Sequence, residues 1–285
     1  MNFLHTFTPQ PILFELGRIS IYWYGFFMAL AMLAGLLVSI KIAKWHGIDK
    51  KIIYDLFFDL IIGGLIGARI FYVLYNFNYF WQSPLDVFKI WQGGLAIHGA
   101  LIFGILVLWW FCHKRTGQRP VRTKFWQLSA IIAPGVALGQ VIGRWGNYFN
   151  QELFGLPTDL SWGIPIALAN RPAGFEMFEY FHPTFLYESI GSLIIFGILI
   201  MMHVWMKKKE QGSALILREQ GNALFVQIVL GYLLLYSLLR FLIEFIRIDP
   251  TAGDIFGMRA TQGLSLVIVI VALLLMILTK NKAKT

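Results

Sequence analysis

The chain has 285 residues, 58% of them apolar and only 14% charged, with a formal net charge of +9. Soluble domains carry about 25% charged residues, so this composition, with a mean hydropathy of +0.66, excludes an ordinary soluble domain and points to a polytopic membrane protein. The positive charge does not mark a nucleic-acid binder, because Lys and Arg cluster in short connectors between apolar runs, where orientation signals sit.

In chain order, residues 1–17 contain no Lys or Arg, so no cleavable signal peptide is expected. Phe3, Leu4, Phe7, Ile12, Leu13 and Phe14 suit a segment lying along the membrane interface. Apolar runs of about 20 residues predict membrane-crossing helices. They fall at about 19–43, 55–76, 95–113, 126–146, 184–206, 222–246 and 259–280. The expected fold is therefore all-α and integral to the membrane, seven transmembrane helices in a single polytopic domain over 1–285.

Orientation follows from the cations. Lys41, Lys44, Lys50 and Lys51 follow the first span, and Lys114, Arg115, Arg119, Arg122 and Lys124 follow the third. Lys207, Lys208, Lys209 and Arg218 follow the fifth, and Lys280, Lys282 and Lys284 follow the seventh. These sixteen of the 24 Lys and Arg residues lie on one side, which predicts an external N-terminus and a cytoplasmic C-terminus. The longest connector, 147–183, reads as an ordered external head segment rich in Gly, Pro, Asn and aromatics. The connector 77–94 is also external, with Trp81 and Trp91 suited to the headgroup level. The only cysteine, Cys112, reads as a structural thiol.

Polar residues inside or at the lip of these spans carry the functional argument, since charge in hydrocarbon is costly and faces a cavity, a partner or a ligand. Arg69, Arg144 and Arg240 have no equal supply of nearby carboxylates in sequence, which suggests an anionic ligand. Tyr22 and Trp23 suit an aromatic belt, while Tyr24 is either part of it or an inward hydroxyl. Gly63, Gly64 and Gly67 permit close helix approach, and Arg69 beside them is either a structural partner or a ligand residue. His98, flanked by glycines one or two turns inside the outer lip, is either a packing histidine or a proton acceptor. Arg144, Asn147 and Asn150 share a helix face if the fourth helix continues a turn, with Glu152 close behind. Guanidinium plus carboxamides can hold a phosphate and hydroxyls. Tyr236, Arg240, Glu244 and Arg247 form one stripe of the sixth span, where Arg240 and Glu244 can pair at i,i+4 and Arg247 can anchor at the interface. His182 and the carboxylate of Glu188 open the fifth span, and Gln262 and Ser265 begin the seventh.

No metal-ligand spacing and no nucleophile elbow occur in the sequence. If the chain is an enzyme, the attacking group belongs to a substrate and the arginines stabilise an anionic leaving group, most naturally a phosphate. A transporter of an anionic lipid would use the same arginines, and a purely structural scaffold is the third reading.

The run from Gly143 through Arg144, Gly146, Asn147, Tyr148, Phe149, Asn150 and Glu152 to Gly155 resembles the signature of the bacterial prolipoprotein diacylglyceryl transferases. Trp23-Tyr24-Gly25, Gly67-Ala68-Arg69, Gly93-Gly94 to His98-Gly99, His182 to Glu188, and Arg240 to Arg247 follow in that family's order, from about residue 10 to 270. Ala100 departs from the glycine frequent there, and 255–265 matches loosely. The resemblance implies transfer of the diacylglyceryl group of phosphatidylglycerol to the lipobox cysteine of a prolipoprotein, giving a thioether and glycerol 1-phosphate. It implies Arg144 and Arg240 as the electrostatic pair and His98 as a candidate general base, the arginines lowering the thiol pKa being the alternative. Tyr24, Arg69, Asn147, Asn150, Glu152, Tyr236, Glu244 and Arg247 are the implied substrate-binding residues. It implies the bacterial cytoplasmic membrane, an active site facing the outer leaflet, prolipoprotein signal peptides as partners, no nucleic acid, and no metal or other cofactor.

Overall fold

A computed structural model of the chain describes residues 2–17, 19–114, 121–212, 217–248, 254–255 and 258–282. The cations Arg18, Arg115, Arg119 and Lys284 lie outside these residues. The elements are α1 (Asn2–Thr6), β1 (Ile12–Leu16), β2 (Ile19–Tyr22), α2 (Trp23–Trp45), α3 (Lys50–Tyr75), α4 (Phe77–Gln82) and α5 (Ile97–Lys114). There follow α6 (Val121–Phe149), β3 (Ile164–Pro165), β4 (Tyr180–Phe181), α7 (Thr184–Gly212), α8 (Leu217–Ile243), β5 (Asp254–Ile255), β6 (Met258–Arg259) and α9 (Ala260–Lys282).

Among the described residues, α2, α3, α6, α7, α8 and α9 are each long and apolar enough to cross a membrane. The remaining expected span is occupied by α5, an apolar helix of 18 residues. Its rise of about 27 Å is a little short of the about 30 Å hydrocarbon thickness. The first expected span begins late. Residues 19–22 form a strand that pairs antiparallel with β1, Phe14 opposite Ile21 and Leu16 opposite Ile19. Gly17 at φ +62° makes the turn, a conformation that suits glycine. An Ile-Ser-Ile-Tyr alternation abutting an apolar helix looks like more helix when read by hydropathy alone.

The chain divides into two compact units, one of residues 1–39 and 130–285 and one of residues 40–129. In the first, small residues set the helix contacts. A Cβ on Gly135 of α6 would lie 2.6 Å from the Gly35 carbonyl oxygen of α2 and 2.7 Å from Ser39 Oγ, so the two backbones touch. Pro134 sits inside α6 and has no N–H for the carbonyl four residues back. That carbonyl, on Ala130, lies 3.0 Å from Nε2 of His203 on α7, a fully buried imidazole. The histidine satisfies an acceptor that apolar surroundings would otherwise strand. Ser189 Oγ of α7 donates to the Val141 carbonyl of α6 at 2.9 Å, and Leu239 of α8 packs over Gly191 of α7.

The head of this unit is a compact loop region after α6. Tyr148, Phe154, Ile164, Ile166, Phe181 and Phe185 form its apolar core, and Ile164 pairs with Phe181 across β3 and β4. The N-terminal segment is fastened to it. Buried Gln151 donates from Nε2 to the Pro9 carbonyl at 2.8 Å and accepts from the Ala167 N–H at 2.7 Å. His5 stacks on Tyr180 with centroids 4.0 Å apart and bonds the Gly163 carbonyl at 2.9 Å.

In the second unit α3 and α5 cross where Gly67 faces Gly99, and a Cβ on either would run into the other's carbonyl oxygen. The glycine cluster thus serves the close approach that its spacing suggests. Cys112 is buried, as a structural thiol should be. Because Gly99 meets backbone and cannot yield, Gly99→Ala should lower stability by about 1–3 kcal/mol. Gly104→Ala, whose Cβ would find only Leu60 at 4.0 Å, should not. Thermal midpoints of the two purified variants in detergent check this, and equal midpoints would refute the crossing.

Candidate active site

The charged groups of the first unit converge on Glu188, in the second turn of α7 and 1% exposed. Arg144, near the end of α6, places Nη2 2.5 Å from Glu188 Oε2. Arg240, near the end of α8, places Nη1 2.5 Å from Glu188 Oε1 as an aligned hydrogen bond. The Arg144 contact is close but not aligned in that way. Arg240 also donates from Nη2 to Glu244 Oε2 at 3.1 Å. Arg247 Nη1 lies 3.9 Å from both Glu188 and Glu244, and Arg259 Nη1 lies 3.5 Å from Glu244 Oε1.

Four guanidiniums therefore surround two buried carboxylates. Glu188, distant from them in sequence, supplies a carboxylate that Arg144 and Arg240 meet only in space. Among the described residues the guanidiniums of this cluster outnumber its carboxylates, also when exposed Glu152 is included. Buried charges persist when desolvation is offset by close partners and hydrogen bonds, and a surplus of one sign suits a ligand of the other.

The polar neighbours extend this network. Arg144 donates from Nη1 to Asn147 Oδ1 at 3.3 Å and from Nη2 to Tyr236 Oη at 3.4 Å. Asn147 Nδ2 donates to Glu152 Oε1 at 2.7 Å. Glu152 can return against Asn147 because the chain reverses after α6 through two left-handed non-glycine residues, Gln151 at φ 51° and Leu153 at φ 57°. Such conformations persist when their surroundings fix them. Here the Gln151 bonds and the bond from Thr184 Oγ1 to the Leu153 carbonyl do so. Gly155 then pairs with Arg247 in an isolated bridge. A Cβ there would lie 2.7 Å from the Ile246 carbonyl oxygen, so the end of α8 and the head meet without a side chain between them.

Arg144, Asn147, Glu152, Tyr236, Arg240, Glu244 and Arg247 thus form one connected set. Tyr24 packs its ring against Gly146, whose Cβ would lie 2.8 Å from Tyr24 Cδ2. Trp23, read as part of an aromatic belt, stacks on Phe149 at 4.4 Å. Asn150 is half-buried one turn beyond Gly146, its N–H on the Gly146 carbonyl at 3.1 Å. Gln262 accepts from the Arg259 N–H at 3.1 Å, and Ser265 Oγ donates to the Thr261 carbonyl within α9. Glu188 and Arg259 are the residues that sequence reasoning did not place in the site. A carboxylate two turns into an apolar span was a usable signal for Glu188; nothing comparable marked Arg259.

Arg69 and His98 belong to the second unit. The Arg69 guanidinium donates to the carbonyls of Asp86, Val87, Gly93 and Gly94 at 2.5, 2.8, 2.9 and 3.0 Å. Arginine has five N–H groups, so this leaves at most one for a ligand. Four of its five N–H groups thus tie down the connector. Nearby, hydrogen bonds from Lys89 and Tyr79 hold the Asp86 carboxyl below its usual range. His98 is exposed at the start of α5, its ring 6.0 Å from that of Phe71. In the head, burial lowers the pKa of His182, whose Nδ1 lies 3.1 Å from Tyr187 Oη.

Comparison with known proteins agrees with the resemblance. The chain matches the prolipoprotein diacylglyceryl transferase family over residues 11–278. It is 43% identical to the phosphatidylglycerol–prolipoprotein diacylglyceryl transferase of Parasynechococcus marenigrum (strain WH8102), over 85% of this chain and 82% of the relative. It is 41% identical to the protein of the same name from Prochlorococcus marinus (strain NATL1A), over 95% and 91%. The corresponding Trichormus variabilis protein is 43% identical over 87% and 82%. The chain belongs to the prolipoprotein diacylglyceryl transferase family.

Removing the shared carboxylate leaves two half-buried guanidiniums without it; breaking a fully buried pair costs about 3–5 kcal/mol, and their partial exposure lowers that. Glu188→Gln, which keeps the shape and removes the charge, should lower the thermal midpoint accordingly. An unchanged midpoint in detergent would show that Glu188 does not hold the cluster.

Proposed function

We propose that this family member is a transferase of lipoprotein biosynthesis. It moves the diacylglyceryl group of phosphatidylglycerol onto the lipobox cysteine of a prolipoprotein, the first step of lipoprotein maturation. The observation that carries the reading is the convergence of Arg144 and Arg240, from two helices, on buried Glu188 in a chain that matches this family over nearly its whole length.

The cysteine sulfur bonds to the terminal glyceryl carbon, and the bond from that carbon to the phosphate oxygen breaks. Its electron pair leaves with glycerol 1-phosphate, and the product is a thioether. Arg144 and Arg240 lie on the phosphate, where charge develops on the leaving oxygen, and donors fixed in advance stabilise it without reorganisation. Glu188 does the fixing, since it is ion-paired with both, and Glu244 orients Arg240 from the other side. Tyr24, Asn147, Asn150, Glu152, Tyr236 and Arg247 position the headgroup and the arginines. Arg69 supports the connector 83–94 in this scheme. The thiol proton goes to His98, which its place in the family motif supports. The alternative is that the cations lower the thiol pKa directly. No metal, nucleotide or other cofactor enters the scheme.

In this reading α5 is the seventh crossing, the N-terminus is external and the C-terminus cytoplasmic, as the cation asymmetry supports. Residues 147–183 are the external head of a single polytopic domain. The site faces the outer leaflet of the bacterial cytoplasmic membrane, where phosphatidylglycerol and the signal peptides of emerging prolipoproteins meet.

Purified protein incubated with phosphatidylglycerol and a synthetic lipobox peptide should add a diacylglyceryl mass to the peptide, read by mass spectrometry. Lipid movement with no covalent product would mark a transporter and sink the reading. Arg144→Lys, which loses the planar fork, should lower kcat/KM by about a hundred-fold; a wild-type rate would make Arg144 structural. Turnover of His98→Asn should fall most at neutral pH and below, where a thiol needs a base. Near-normal turnover there removes His98 as the base.

A further inference from the structure

The helix faces that carry the arginine cluster continue one to two turns further with polar groups, of which Tyr236 touches the cluster through Arg144. Ser192 follows Glu188 by four residues on α7, Gln140 precedes Arg144 by four on α6, and Tyr236 and Tyr232 precede Arg240 by four and eight on α8. Residues four apart share a helix face, displaced by about 6 Å along the axis. α6 and α8 run toward the cluster and α7 runs away from it, so all these offsets point the same way, toward the opposite ends of the helices.

These groups are arranged to give protons away. Ser192 is 1% exposed, and its Oγ has no hydrogen-bond partner among the described residues. Serines elsewhere in these helices donate to carbonyls, as Ser189 does to Val141 at 2.9 Å and Ser129 to Phe125 at 2.7 Å. Tyr236 Oη accepts from Arg144 at 3.4 Å, so its oxygen is engaged as an acceptor while its O–H can still donate. Tyr232 lies one turn away on the same face of α8. The two rings stack with centroids 5.9 Å apart. A buried hydroxyl that finds no acceptor is unfavourable, so a ligand bringing acceptors is favoured there.

We propose that Ser192, with the hydroxyls of Tyr236 and Tyr232, seats the ester carbonyls of the lipid substrate. The proposal rests on the phosphatidylglycerol reading above. With the phosphate on Arg144 and Arg240, the next polar groups of the lipid toward its acyl chains are the two ester carbonyls. They accept hydrogen bonds and donate none. Holding them fixes the glyceryl carbon behind the phosphate and separates ester lipids from ether lipids. Gln140 Oε1, also buried without a partner, is an acceptor that an ester cannot use. A headgroup hydroxyl competing for this place would use it, and would give no preference between ester and ether chains.

The test measures peptide modification with diester phosphatidylglycerol and with its diether analogue of equal chain length. Wild-type protein should prefer the ester by about five-fold or more in kcat/KM, the worth of one or two neutral hydrogen bonds. Ser192→Ala should bring the ester rate down to near the ether rate and leave the ether rate unchanged. Ser192→Cys, of similar volume and a weak donor, repeats this if the alanine variant does not fold. Equal wild-type rates on the two lipids, or an undiminished preference in both variants, would overturn the ester seat and leave the transferase standing. Absence of product from either lipid would overturn both.

Discussion

One carboxylate, Glu188, sits 2.5 Å from guanidiniums on two different helices, and the arrangement of the charged site depends on it. Without Glu188, Arg144 and Arg240 would repel across a short gap in a poorly solvated setting, and each would seek water or lipid headgroups instead. With it, α6, α7 and α8 are tied at one level. The guanidiniums keep N–H groups for Asn147, Tyr236 and Glu244, and among the described residues the arginines of the cluster outnumber its acids. A site neutralised by equal numbers of acids would be just as rigid but would have no reason to attract an anion. A site with no acid would attract one but could not be held open before it arrives. Two carboxylates among four arginines meet both requirements.

The same need to leave no polar group stranded explains features far from the charges. Pro134 frees a carbonyl inside an apolar helix, and His203 from the neighbouring helix takes it. The Arg69 side chain gathers four carbonyls from a connector that holds only two short 3-10 turns. Where helices must touch more closely than side chains allow, paired glycines let carbonyl meet backbone, Gly35 against Gly135 and Gly67 against Gly99.

Periodicity and hydropathy made the helices legible, and the cation pattern gave a reason for their order. The stripe from Tyr236 to Arg247 and the run from Arg144 to Glu152 were also legible, because a helix or a tight turn converts short spacing directly into proximity. What could not be read was anything that required two helices to meet. Glu188 is 44 residues from Arg144 and 52 from Arg240, so its part in the site was invisible although its carboxylate stood out in an apolar span. The partners of Arg69 were hidden for another reason. It resembles the other two arginines in composition, but its partners are main-chain carbonyls, which carry no sequence signal. The strand at 19–22 was hidden by its neighbour, since four alternating residues cannot outweigh an adjoining apolar helix.

The fastening of the N-terminal segment to the head has a consequence for the order of assembly. Pro9 waits for Gln151, 142 residues later, and His5 waits for Gly163, 158 residues later. Residues made early thus wait for partners made much later, and the loops they close span about half of the 285 residues. Closing so long a loop adds little to the entropic cost, because that cost grows only with the logarithm of length. The delay is instead one of synthesis. Until residues past 180 are made, this apolar segment has no protein surface to lie on, and the bilayer interface is its natural holding place.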